Sequence, residues 1–140
     1  MKIIRAMRLT VLGVAASVLA SLSCGKDGGP TGPSGPVTAT VSLATPRTDD
    51  GALLLELTGR GLTAAGVRAA RDDYFVQARP AVSGGGVTVL VVGDLVSGPL
   101  LRVDAPDAQA ADGYAVAVKE AASRTNALVS SSGRSFTIER

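Results

Sequence analysis

From Val37 onward the chain alternates. Val37, Ala39, Val41 and Leu43 are separated by Thr38, Thr40 and Ser42, the period of two expected of a half-buried strand. A turn-rich stretch from Thr45 to Gly51 (TPRTDDG) leads to Leu53, Leu55 and Leu57 on one face, with Leu54 and Glu56 on the other. Gly59 and Gly61 close that strand. Leu62 to Asp73 (LTAAGVRAARDD) admits a helical turn or a short strand near Val67, and the strand is the favoured reading. Tyr74 to Ala78 reads as a strand ending before Pro80, and Ser83 to Gly86 as a turn. Val87 to Val92 is rich in β-branched residues and is the strongest strand signal of the chain. In Leu100 to Ala105, the residues Leu101, Val103 and Ala105 alternate with Leu100, Arg102 and Asp104. Pro106 to Gly113 reads as a loop with room for one turn of helix.

Tyr114, Val116 and Val118 alternate with Ala115, Ala117 and Lys119. The alanines would permit a helix there, but the alternation and the adjacent Asp112-Gly113 favour a strand. A loop over Ala121 to Asn126, a strand near Ala127 to Ser130, a turn over Ser131 to Gly133 and a strand over Ser135 to Ile138 complete the pattern. Eight or nine short strands separated by Gly, Pro and Asp turns predict an all-β fold, a single antiparallel β-sandwich. No long helices alternate with the strands, which argues against a parallel α/β sheet.

The first residues follow another plan. Lys2, Arg5 and Arg8 precede an uncharged run of 15 residues from Leu9 to Ser23, the basic-then-apolar order of a signal peptide. As a helix the run reaches about 22 Å, short of the roughly 30 Å hydrocarbon core of a bilayer. It ends in Ala20-Ser21-Leu22-Ser23-Cys24, which resembles the lipobox of bacterial lipoproteins. Ser21 and Leu22 depart from the commonest form, and the small Ser23 before the Cys keeps the looser one. The resemblance implies cleavage before Cys24, a diacylglycerol thioether on its sulfur and an acyl chain on the new amine. Several acyl chains hold a protein on a bilayer where one does so only marginally. Gly25 follows the Cys where an Asp would retain a lipoprotein at the inner membrane, so the resemblance implies the outer membrane in an organism that has one. Gly25 to Pro36 (GKDGGPTGPSGP) offers no apolar surface to bury and reads as a tether, spanning roughly 20 to 35 Å. The expected division is a signal peptide over 1–23, a lipidated Cys with linker over 24–36 and a sandwich domain over 37–140.

Composition narrows the chemistry. Of 140 residues none is His, one is Cys and none is Trp. A His-bearing triad, a Cys/His zinc site and a disulfide framework are therefore excluded. Without Lys2, Arg5 and Arg8, 11 of the 14 basic side chains remain against 12 acidic ones. The basicity belongs to the export signal, and no polybasic patch for nucleic acid remains.

The extended start, the Asp49-Asp50-Gly51 turn into Leu53 to Leu57, the step from Gly93-Asp94 to Gly98 and Val103, and the Tyr114-x-Val116-x-Val118 strand together resemble cohesin-type and related immunoglobulin-like sandwiches of bacterial surface proteins. The resemblance covers most of Val37 to Ile138 and carries no dockerin-binding residues over.

Other groups are weaker candidates for chemistry. Asp49 with Asp50, Asp72 with Asp73, and Asp104 with Asp107 could offer oxygens to calcium, but Asp beside Gly or Pro is commonly a turn former. Two carboxylates across a groove could cleave a glycoside, yet Tyr74, Phe75, Tyr114 and Phe136 are few platforms for sugar rings and at least three are expected in the core. Ser130 to Ser132 lack a general base, and Lys119 has no motif around it. The nine arginines from Arg47 to Arg140, interleaved with acids, read as a solvated mixed-charge surface. No metal, cofactor or catalytic residue is expected. The expectation is a non-enzymatic, lipid-anchored binding or structural module of the cell envelope, attached to a membrane through Cys24, with a protein or polysaccharide partner of unknown identity. Its alternatives are a small envelope glycoside hydrolase using paired carboxylates and a secreted soluble binding domain.

Overall fold

The computed structural model describes residues 35–140. Cys24 and the signal and tether expectations lie outside the described residues, apart from Gly35 and Pro36. The fold is an all-β sandwich of two antiparallel sheets. One has the order β3-β6-β1-β9 and the other β4-β5-β2-β7-β8. The strands are β1 (Val37–Ala44), β2 (Asp50–Thr58), β3 (Val67–Ala69), β4 (Phe75–Pro80), β5 (Gly86–Val92), β6 (Gly98–Ala105), β7 (Ala115–Ser123), β8 (Leu128–Val129) and β9 (Ser135–Glu139). A 3₁₀ turn over Ala64–Gly66 leads into β3, and a five-residue helix α1 (Ala108–Asp112) joins β6 to β7. The Leu62 to Asp73 stretch thus contains both a helical turn and the strand at Val67.

The alternation does what the pattern requires. Ala39, Val41 and Leu43 of β1 face Leu53, Leu55 and Leu57 of β2 and Val87, Val89 and Val91 of β5 across a core closed to solvent. Each fully buried Leu or Val contributes roughly 1.5–3 kcal/mol relative to exposure. With few rings available, the two tyrosines sit at opposite ends. Tyr74 packs below β5, next to Gly93, and Tyr114 packs above β2, against Gly59. At Gly59, whose φ is +154°, a Cβ would lie 2.1 Å from the Tyr114 ring, so only glycine leaves room for it. Phe136 is partly buried against the core, while Phe75 is the exception among the aromatics, 59% exposed on β4.

Three bulges modify the two-residue period. Leu100 has no partner where Leu101 pairs with Val41 and Pro99 with Ser42. This extra residue turns both Leu100 and Leu101 inward, where the alternation alone predicts only Leu101. Lys119 is the extra residue on β7, between the pairs Leu54–Glu120 and Leu55–Val118. Gly51 is the extra residue on β2, between Asp50–Ser123 and Ala52–Ala122. The strand therefore begins three residues before Leu53, and the expected Asp50-Gly51 turn is ladder instead. Likewise β7 continues to Ser123 through residues expected to be loop, because Leu53 and Ala52 supply partners for Ala121 and Ala122. Strand β4 runs through Pro80, an edge position where its missing N–H costs no ladder bond.

Two substitutions test these assignments. A Cβ on Gly51 would lie 2.7 Å from the Cα of Arg124 and 2.8 Å from its nitrogen, both backbone atoms. Gly51→Ala is expected to cost about 2 kcal/mol or more in urea unfolding, whereas a loss under 0.5 kcal/mol contradicts the bulge. The buried Tyr74 hydroxyl has no hydrogen-bond partner among the described residues. Tyr74→Phe is expected to stabilise the fold by about 1 kcal/mol, because the orphaned polar group is removed and the ring retained.

Candidate functional site

The Gly51 bulge changes which way Asp50 points. By plain alternation from Leu53, Asp50 would face solvent, and the extra residue turns it into the end of the sandwich instead. Its side chain is fully buried, as is that of Arg134, which precedes β9 in the opposite sheet. Arg134 Nε donates to Asp50 Oδ2 at 3.0 Å, and its Nη2 donates to Asp50 Oδ1. The fork is bidentate, the strongest geometry for this pair. Thr45 Oγ1, just after β1, donates to Asp50 Oδ2 at 2.7 Å. Arg134 Nη1 donates to the Ser130 carbonyl, and Arg47 Nε stands 3.6 Å from Asp50 Oδ1. The carboxylate thus ties the start of β2 to the end of β1 and the start of β9, across both sheets.

Burial by itself would raise the Asp50 pKa. Hydrogen bonds from Arg134 and Thr45, with the positive charges of Arg134 and Arg47, outweigh it and hold the carboxyl below its ordinary value. Asp50 is therefore no calcium-binding turn residue, and Arg134 is no part of the solvated surface that the arginine pattern suggests. The signal that could have found Asp50 is Gly51 itself, since a glycine inside a strand pattern suggests a bulge.

The other expected candidates are dispersed. Asp49 accepts two hydrogen bonds from Arg47, and Asp73 two from Arg71. Asp104 accepts from Thr38 and Arg68. Asp107 caps α1 by accepting from the Ala110 amide at 2.7 Å and also pairs with Arg60. The amide bond first, with Arg60 beside it, holds the Asp107 carboxyl below its usual range. Lys119 is engaged by Glu56 and lowers its pKa. Ser130 and Ser132 bond each other through their hydroxyls at 2.7 Å in the turn before Arg134. Among the described residues no three metal-capable side chains gather.

A cleft of about 510 Å³ opens along one side of the sandwich, between β7 and β9. Strand β8 covers only Ala121 and Ala122 of β7, so above that level the two sheets part. Val116 and Val118 from β7 and Phe136 and Ile138 from β9 form its walls, with Tyr114 at one end and Arg134 at the other. Burial raises the Tyr114 pKa, with the nearby Asp107 carboxylate adding to it, so the phenol stays neutral. With Ser131 and Ser135 also in its lining, the cleft presents a mixed, mainly polar surface and one guanidinium already committed to Asp50.

No family model matches the chain, and neither a curated protein nor a solved structure is similar to it by the comparisons made.

Arg134→Met is expected to cost about 3–5 kcal/mol, since it strands a buried carboxylate. Asp50→Val with Arg134→Met is expected to cost less than the two single changes together, and additive losses in urea unfolding contradict the pairing. Because Asp50's folded pKa is depressed, the stabilisation is complete above its unfolded value near pH 4. It disappears as pH falls through the lower folded value. The wild-type urea midpoint should therefore drop more between pH 5 and pH 2 than that of the double variant.

Proposed function

We propose that this chain is a lipid-anchored, non-enzymatic module of the cell envelope that provides binding or structural support. The observation that carries the reading is Cys24, the lone thiol of the chain, placed at the end of the apolar run and directly before the Gly/Pro tether. The tether is expected to end at Pro36, and β1 begins at Val37. Acyl chains on Cys24 would hold the sandwich at a membrane surface. Among the described residues no helix is long and apolar enough to cross a membrane.

A non-enzymatic role is supported by the state of the carboxylates. Asp50, Glu56, Asp73, Asp104 and Asp107 are each held by a cation. A glycosidase needs one carboxyl held protonated, its pKa raised, facing another across a groove; the resolved shifts of Asp50, Glu56, Asp73 and Asp107 are all downward. The resemblance to cohesin-type sandwiches extends the proposal to a protein-binding surface module without specifying the partner.

Metabolic labelling with palmitate tests the anchor. Label on the wild-type chain, its loss in Cys24→Ala and the appearance of that variant in the soluble fraction are expected. An unlabelled wild-type chain, or label that persists in Cys24→Ala, removes the anchor.

A further inference from the structure

The outer face of the five-stranded sheet carries an apolar row that crosses every strand. Phe75 on β4 pairs with Val92 on β5, Val92 with Ala52 on β2, Ala52 with Ala122 on β7, and Ala122 with Leu128 on β8. Phe75 is 59%, Val92 38% and Leu128 79% exposed. Leu54 and Leu90, paired one row further along, widen the patch. Outward positions of a one-sided sheet are expected to be polar, and the outer face of the other sheet follows that rule with Thr38, Thr40 and Ser42 on β1.

We propose that this face pairs with the same face of a second copy of the chain. The row is centred on Ala52, with a large residue at each end. Row lies on row over the full width of the sheet about a two-fold axis along the row or along β2, and the end at which the chain enters the sandwich selects the axis along β2. That axis sets Phe75 across from the partner's Leu128, Val92 across from the partner's Ala122, and Ala52 across from itself, an isologous contact. Two twisted sheets stack in this way at about −30°, as the inner faces of sandwiches do. The charges permit it. Glu56 on the axis strand is neutralised by Lys119, and above the two residues of β8 strand β7 is the sheet edge, so Glu120 can reach solvent.

The chain outside the described residues selects this occupant. An axis along β2 leaves both copies of Val37 at the same end of the pair, opposite the apolar row. Both tethers, and both Cys24 residues, can then reach one surface. Area sets the strength. Five strands at 4.8 Å spacing and seven residues of length make a face of about 24 by 23 Å, or roughly 550 Å² per copy. A stable complex covers about 800 Å² per partner. The pair is therefore weak in dilute solution and forms where tethering raises the local concentration to the order of millimolar. The pairing deepens the envelope-module reading; only its strengthening at a membrane depends on the anchor.

Cysteine cross-linking of the full chain in native membranes provides the test. Ala52→Cys, on the axis, is expected to oxidise to a covalent homodimer, while Thr40→Cys on the other sheet and the wild type with Cys24 alone are not. Adding Phe75→Glu and Leu128→Glu places like charges against each other and is expected to reduce the cross-link at least tenfold with the thermal melt unchanged. The chain carrying Cys24→Ala should sediment as a monomer at about 10 μM and as a dimer at about 1 mM. A monomer at the higher concentration, a cross-link to a different polypeptide, or a cross-link indifferent to the two glutamates overturns the pairing. A dimer at millimolar concentration from a chain that takes no palmitate retains the pairing and removes the anchor alone.

Discussion

A single buried carboxylate joins the two halves of this molecule. Asp50 begins β2 in one sheet, Arg134 leads into β9 in the other, and Thr45 ends the run of β1 beside it. A sandwich of Val, Leu and Ala is held mainly by apolar burial, which has no direction and does not by itself fix how one sheet sits on the other. The fork between Asp50 and Arg134 has a direction. Taking two charges out of water is costly, and the pair persists because both carboxylate oxygens and all three guanidinium nitrogens meet a hydrogen-bond partner. Among the described residues strand β9 has only β1 as a ladder neighbour, so the latch is its principal attachment at the end where it enters the sheet.

The same end shows why the fold was largely legible and this contact was not. The strands over Val37 to Leu43, Leu53 to Leu57 and Val87 to Val92 follow from alternation because each has one buried face and one wet one. The alternation misleads where a residue is inserted. Gly51 reverses the direction of Asp50, Leu100 adds a second leucine to the core, and Lys119 shifts β7 by one position. An inserted residue leaves little periodic trace, since it costs the pattern a single place. Arg134 was hidden for a different reason. Its partner lies 84 positions away, and nothing local separates a buried arginine from the eight that stay at the surface.

Function is divided along the chain in the same manner. The chemistry proposed for attachment resides in Cys24, before the described residues, whereas the sandwich contributes shape. Most of its acidic residues are spent on ion pairs, a helix cap and the latch. Apart from these lie the mixed cleft between β7 and β9 and the apolar row from Phe75 to Leu128 on the outer sheet.

Amide hydrogen exchange of β9 relative to β6 measures the latch most directly. At neutral pH the ladder amides of Ser135–Glu139 should exchange only through global unfolding, with the same opening free energy as those of Leu101 and Val103 in the middle of that sheet. As Asp50 takes up a proton, β9 should lose protection before β6 does. Rapid exchange of β9 at neutral pH, or protection that falls equally in both strands on acidification, would contradict a fold clamped by Asp50 and Arg134.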